Sequence, residues 1–201
     1  MNWVAMFPGQ GSQQAGMGEE LLDLYPDLLI EEFEETLGWS LKEAILHSDQ
    51  NEITKTNIAQ PYIFAISYCY GLEAFKNLGL PKVGIGHSLG EYSALSCAGY
   101  LNFGETIKIL RIRGDAMQSA TPVGVGAMAA ILGSSIDQVE SLIASFNTTQ
   151  SNEIVQIAND NSPGQIVVSC LLYTSDAADE RSTVDLGDRL IIKKKIWGGG
   201  R

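Results

Sequence analysis

The sequence predicts an α/β chain, a parallel sheet with flanking helices followed by the start of a small α+β lobe. Three observations predict it. Short apolar runs that end in glycine-containing turns, Trp3–Phe7 and Val83–His87, alternate with longer segments of helical character, Pro61–Leu78, Leu89–Ala98 and 103–119. Strand, helix, strand, helix is the order of a parallel sheet with crossover helices. After Pro122 the pattern changes to a strand at Val125–Leu132, a helix at Ile136–Phe146 and strands at Ile154–Ala158 and Gln165–Ser169. That βαββ run is the opening of a ferredoxin-like lobe, and it stops before a second helix. Finally, 201 residues at 45% apolar and 18% charged provide for one core plus a small lobe and exclude disorder by composition.

The elements follow in order. Trp3–Phe7 is a short buried strand ended by Pro8-Gly9. Residues 19–36 form one or two acidic amphipathic helices broken near Pro26, and Leu41–Leu46 forms a short helix. Pro61 stands at the first position of its helix, where a missing N–H costs nothing. The expected domains are a main α/β domain over 1–121, an incomplete lobe over 122–170 and a tail over 171–201. The tail is set apart by charge: seven basic and nineteen acidic residues precede it, but six and five lie within it. It has no sustained period, carries a Lys triplet and ends in three glycines and an arginine. It resembles translated adapter or vector sequence more than evolved protein, so it is left out of the fold. The alternative is a genuine flexible extension.

Thirteen basic residues against twenty-four acidic ones give a net charge of −11. That balance argues against nucleic acid or an anionic membrane surface as the main partner. Three cysteines without paired spacing argue against a disulfide framework or a metal site, and Cys69 and Cys97 read as buried free thiols. No apolar run is long enough to span a membrane, and the start, MNWVAMFPGQ, lacks a signal peptide's basic region, so a cytoplasmic protein is expected.

The sharpest motif is Gly86-His87-Ser88-Leu89-Gly90, between a strand and a helix. This is the Gly-x-Ser-x-Gly nucleophile elbow of a hydrolase-like sheet in the context it requires. The tight turn forbids bulk two residues either side of Ser88 and holds Ser88 in a strained backbone conformation. The helix start then offers free N–H groups to a developing oxyanion, the Leu89 N–H first. A purely structural turn is the alternative. The second motif, Phe7-Pro8-Gly9-Gln10-Gly11-Ser12-Gln13, follows the first strand. Its glycine spacing fits no phosphate loop. It suits a loop that lends a second backbone N–H to the Ser88 site.

Together the residues resemble a family. FPGQGSQ at 7–13, AQP at 59–61, Gly86 with GHSLGEYSAL through 95, Arg113-Gly114 with Met117-Gln118, and NDNSPGQIVVS at 159–169 are similar to malonyl-CoA:acyl carrier protein transacylases of fatty-acid synthesis. The resemblance implies that Ser88 takes up the acyl group. It implies an oxyanion hole from the backbone N–H groups of Gln10 and Leu89, a carboxylate-holding role for Arg113 and a pocket position for Gln60. It implies malonyl-CoA as substrate, acyl carrier protein as partner, and no bound cofactor or metal. On the residues alone, Arg111 and Arg113 do not share a helix face, so one is solvated and one points inward. An inward guanidinium needs an anion, which is either a substrate carboxylate or Asp115.

A base for Ser88 is not evident. His87 adjoins Ser88 and should project to the opposite side, while His47 lies in the polar turn His47-Ser48-Asp49-Gln50-Asn51 as a capping or surface residue. In the family the base histidine comes later in the chain. The sequence therefore reads as the N-terminal part of a transacylase, truncated inside its small lobe, with apolar surface exposed, poor solubility and little activity expected. Polyketide-synthase acyltransferases, serine hydrolases or thioesterases, and a non-catalytic fragment that binds CoA or carrier protein are the competing readings. The start at Met1 and Glu91-Tyr92-Ser93 favour the stand-alone enzyme over the first of these.

Overall fold

The computed structural model describes residues 2–120, 126–149, 155–171 and 191–194. The chain divides into two compact units, Met1–Ala120 and Thr121–Arg201. In the first, β1 (Val4–Phe7) and β2 (Val83–Gly86) pair in parallel, Val4 against Val83 and Phe7 against Gly86. The crossover between them begins with a 3-10 turn at Glu19–Leu21, a π-helical stretch at Asp27–Glu32 and α1 (Phe33–Leu37), so the acidic helical segment does break at Pro26. Next come α2 (Leu41–His47), α3 (Gln50–Thr54) and α4 (Thr56–Leu78). After β2 stand α5 (Gly90–Cys97) and α6 (Phe103–Ser119).

Two helix boundaries differ from expectation. The polar stretch after His47, read as a turn, contains α3, because Asp49 caps it by accepting from the Glu52 N–H at 2.9 Å. α4 begins five residues before Pro61, which lies inside the helix rather than at its first position. The helix opens on the Lys55 carbonyl, which accepts from Ile58 at 2.9 Å and Ala59 at 2.7 Å. Proline there removes only the bond to the Asn57 carbonyl. Burial outweighs that loss, for Ala59, Gln60, Pro61, Tyr62, Ile63, Phe64 and Ala65 are all buried. α4 is apolar on nearly every side because it runs through the core, packed with Leu29, Phe33, Leu41, Ile45, Leu89, Ile107 and Leu110. Phe33 meets Trp39 edge to face at 4.8 Å, and Phe64 meets Phe103 at 5.6 Å.

β1 and β2 are apolar on both faces. Ala5 and Phe7 turn into the core, whereas Val4, Met6, Val83 and Ile85 stand exposed on the other side. Cys69 and Cys97 are both free thiols; Cys69 is buried as expected, whereas Cys97, at the end of α5, is only half-buried. Burial pushes each thiol up to about 12.

The second unit holds β3 (Gly126–Leu132), α7 (Ile136–Thr149), β4 (Val155–Ser162), β5 (Gln165–Leu171) and β6 (Ile191–Lys194). They form one antiparallel sheet in the order β4-β5-β3-β6. Ile131, Val139 and Ile166 form its small core with Ile143, Ile157 and Val168. The first strand is thus central, with the third on one side and the fourth on the other. The sequence reading left residues 171–201 out of the fold, yet Ile191–Lys194 pair with β3, Ile131 against Ile191. The second edge of β3 carries backbone donors and acceptors that need partners, and any extended segment can supply them. The rest of that tail, 172–190 and 195–201, lies outside the described residues.

Two outcomes follow. At pH 8 a thiol of pKa about 12 is roughly one part in 10⁴ thiolate, so Cys69 and Cys97 should resist iodoacetamide in the native chain and react in urea. The exposed β1–β2 face should bind an apolar dye such as anilinonaphthalene sulfonate. Met6→Lys with Ile85→Lys should remove most of that fluorescence without loss of helical circular dichroism.

Candidate active site

The site is built where β1 and β2 end side by side. The Phe7 carbonyl accepts from the His87 N–H at 3.1 Å, which carries the pairing one residue past the strands. The chain then turns sharply. Ser88 is the one non-glycine residue with positive φ among those described, at 55°. Side chains pay about 1–3 kcal/mol for that region. A Cβ on Gly86 would fall 2.0 Å from the Gly90 carbonyl carbon, and one on Gly90 would fall 2.2 Å from the Phe7 oxygen. Neither position admits any side chain, as the elbow's geometry requires. Gly9 is equally confined, since a Cβ there would meet both the oxygen and Nδ1 of His87 at 2.7 Å. The loop after β1 thus abuts the elbow directly.

Side chains hold that loop. Gln10 Nε2 donates to Thr56 Oγ1 at 3.2 Å, at the first position of α4. Gln13, buried, accepts from the Gly11 N–H at 2.8 Å and donates to Thr54 Oγ1 at 3.2 Å. Gln50 Nε2 donates to the Gln13 carbonyl at 3.0 Å. These contacts explain the glutamines of the FPGQGSQ run, for they tie the loop to α3 and α4. The Gln10 and Leu89 N–H groups donate to no protein acceptor among the described residues. Leu89 is the N-cap residue of α5, and its side chain is fully buried. Its N–H therefore belongs to the free donors of a helix start.

Arg113 comes to Ser88 from α6. Its Nη2 donates to Ser88 Oγ at 2.9 Å and its Nη1 to Gln60 Oε1 at 2.8 Å. Gln60 is fully buried on α4. The two helices approach closely because residue 114 is glycine, where a Cβ would fall 2.7 Å from the Asn57 Cα. Of the two arginines, both half-buried, Arg111 takes Asp115, at 2.8 Å. Arg113 has only neutral partners, and no carboxylate of the described residues forms an ion pair with it.

Ser88, Arg113 and Gln60 are therefore brought together, and Gln10 and Leu89 flank the elbow. The histidines are not brought to the hydroxyl as a base. His47 ends α2 and lies 3.7 Å from Glu43, both exposed, while the His87 imidazole packs on Gly9. Two residues that the sequence reading gave no role also belong here. Thr56 anchors Gln10, and Met117 accepts from Gln60 Nε2 at 3.1 Å. The signal for Met117 was its spacing, one helical turn after Arg113 on the same face. No group of three His, Cys, Asp or Glu side chains is placed for a metal ion, and no helix is long and apolar enough to cross a membrane, among the described residues.

An exposed serine in a strained elbow, beside backbone N–H groups and a guanidinium without a carboxylate partner among the described residues, has the parts that transfer of an anionic acyl group calls for. The family model "Acyl transferase domain" matches residues 4–182. A malonyl CoA-acyl carrier protein transacylase of Bacillus subtilis (strain 168) is 45% identical over 167 residues, covering 82% of this chain and 52% of the relative. That of Haemophilus influenzae is 43% identical over 173 residues, covering 83% and 54%. The chain thus spans about half the length of the curated relatives it matches. Among solved structures, the Coxiella burnetii malonyl CoA-acyl carrier protein transacylase superposes with a TM-score of 0.74 at 37% identity, over 85% of this chain and 54% of its own. A malonyl-transacylase in complex with a type II polyketide acyl carrier protein gives 0.75 at 35% identity, over 85% and 55%. With a family model matched over residues 4–182 and relatives at 43–45% identity, this chain belongs to the acyl transferase domain family.

Proposed function

We propose that this chain carries the acyl-serine site of a cytoplasmic malonyltransferase, which moves a malonyl group from malonyl-CoA to the phosphopantetheine thiol of an acyl carrier protein in fatty-acid biosynthesis. The observation that supports this best is Arg113, a guanidinium 2.9 Å from Ser88 Oγ with no carboxylate partner among the described residues. Such a group favours an acyl chain that ends in its own carboxylate, held in bidentate geometry. The names of the relatives support the same substrate pair.

The chemistry runs in two steps. Ser88 Oγ loses its proton to a base and attacks the malonyl thioester carbon. The oxyanion that forms takes the N–H groups of Gln10 and Leu89, and the malonyl carboxylate draws Arg113 off Ser88. The carbon–sulfur bond breaks, CoA leaves as the thiol, and malonyl-Ser88 remains. The carrier's thiol then attacks the ester, and Ser88 recovers its proton, a ping-pong exchange. Neither His47 nor His87 is placed as the base, so the chain alone should acylate slowly. Loss of the base from such a site costs on the order of 10⁴–10⁶ in rate. A neighbour solved with its carrier protein favours a carrier thiol over water as acceptor and keeps a polyketide carrier as a second acceptor class.

Intact mass after incubation with malonyl-CoA tests the reading. One malonyl adduct should build up slowly on the chain, be absent from Ser88→Ala, and move to added holo-carrier protein rather than appear as malonate. Adduct on Ser88→Ala, or release only to water, overturns it. Arg113→Ala should lower malonyl labelling about tenfold to a hundredfold against acetyl labelling, because an acetyl group never engaged the guanidinium. Unchanged acyl preference counts against the role given to Arg113.

A further inference from the structure

Arg113 is held by an amide, and that amide is itself held. Gln60 Oε1 accepts from Arg113 Nη1 at 2.8 Å, and Gln60 Nε2 donates to Met117 Sδ at 3.1 Å. The Gln60 side chain is fully buried, so its amide orientation matters. In this orientation an acceptor faces the guanidinium. In the reverse one an N–H would face an N–H, donor against donor. The orientation found is complete only if the amide nitrogen also has an acceptor, because a buried donor without one is costly. Met117 provides it with a thioether, a weak acceptor where a leucine of similar volume offers none.

The chain of contacts ends at the nucleophile. With Nη1 held by Gln60, Arg113 directs Nη2 at Ser88 Oγ, 2.9 Å away. Gln60 and Met117 lie 57 residues apart in sequence, and the close approach of α4 and α6 at Gly114 joins them. We propose that Met117 is a positioning residue for anion recognition: its Sδ fixes the Gln60 amide, which in turn fixes the Arg113 guanidinium beside Ser88. The effect on acyl choice rests on the malonyltransferase reading above, but the effect on Arg113 does not.

Met117→Leu keeps the volume and the helix preference at a half-exposed position, so it should fold. Met117→Gln restores an acceptor. The first measurement is the side-chain nitrogen spectrum of Arg113, assigned with Arg113→Lys, in the full chain. Slow rotation of a held guanidinium should resolve its Nη groups in the native chain, merge them in Met117→Leu and resolve them again in Met117→Gln. The second is competition between malonyl-CoA and acetyl-CoA for Ser88, read by intact mass. Met117→Leu should lower the malonyl-to-acetyl ratio about tenfold, the loss falling on malonyl, with recovery in Met117→Gln. Unchanged Arg113 signals in Met117→Leu, or a Met117→Gln chain that behaves like it, overturn the proposal. If the Arg113 signals respond as described while neither thioester labels Ser88 in any variant, the positioning role stands and the malonyltransferase reading falls.

Discussion

The contact on which the rest depends is backbone against backbone, where the Gly90 Cα presses on the Phe7 and Pro8 carbonyls. A Cβ on Gly90 would lie 2.2 Å from one and 2.7 Å from the other. Removing side chains from positions 86 and 90 lets the chain reverse within a few residues. Ser88 is thereby driven into the left-handed region at φ 55°, and its hydroxyl emerges between the loop after β1 and the start of α5. Strain of about 1–3 kcal/mol is tolerated there because a full core lies beneath, and the Leu89 side chain is anchored in the same core as Tyr62 and Ile107. The elbow is a strained turn clamped by a well-packed floor.

The floor also sets the electrostatics. α4 is a core helix with hardly a polar side chain in its buried stretch, so the buried amide of Gln60 is an exception that needs an account. It has one in Arg113 and Met117, both reached across the α4–α6 contact that Gly114 permits. A neutral amide is a suitable partner for a cation that must stay available to an anion. A carboxylate in that place would neutralise the guanidinium and compete with any anionic ligand. The division of labour between the two arginines follows the same logic. Arg111 spends its charge on Asp115 at the surface, and Arg113 keeps its own.

Much of this was legible in the residues. The strand and helix order, the lack of room around Ser88, and the different directions of the two arginines on α6 could be read because each depends on local sterics or on helical spacing. Other features were not legible. The start of α4 moved to Thr56 because burial of Ala59 and Gln60 outweighs one hydrogen bond lost at Pro61. α3 went unread because five residues show too little periodicity, although Asp49 was in plain view as its cap. β6 went unread because a four-residue strand in a biased segment has no pattern of its own and is defined by the edge it meets.

The sequence by itself determined the parts on which the proposed chemistry rests: a serine in an elbow, a glycine-rich loop after the first strand, and a pair of arginines on one helix. Those signals are short, and steric rules within a few residues decide them. Only the tertiary structure decided which groups share the site. Gln60 and Arg113 are 53 residues apart, and Gln10 and Thr56 are 46 apart. Distances of that order along the chain are closed by packing α4 against its neighbours, which no local pattern encodes. Hence the roles of Thr56 and Met117, and the choice of Arg111 rather than Arg113 for Asp115, became readable only once the helices stood side by side.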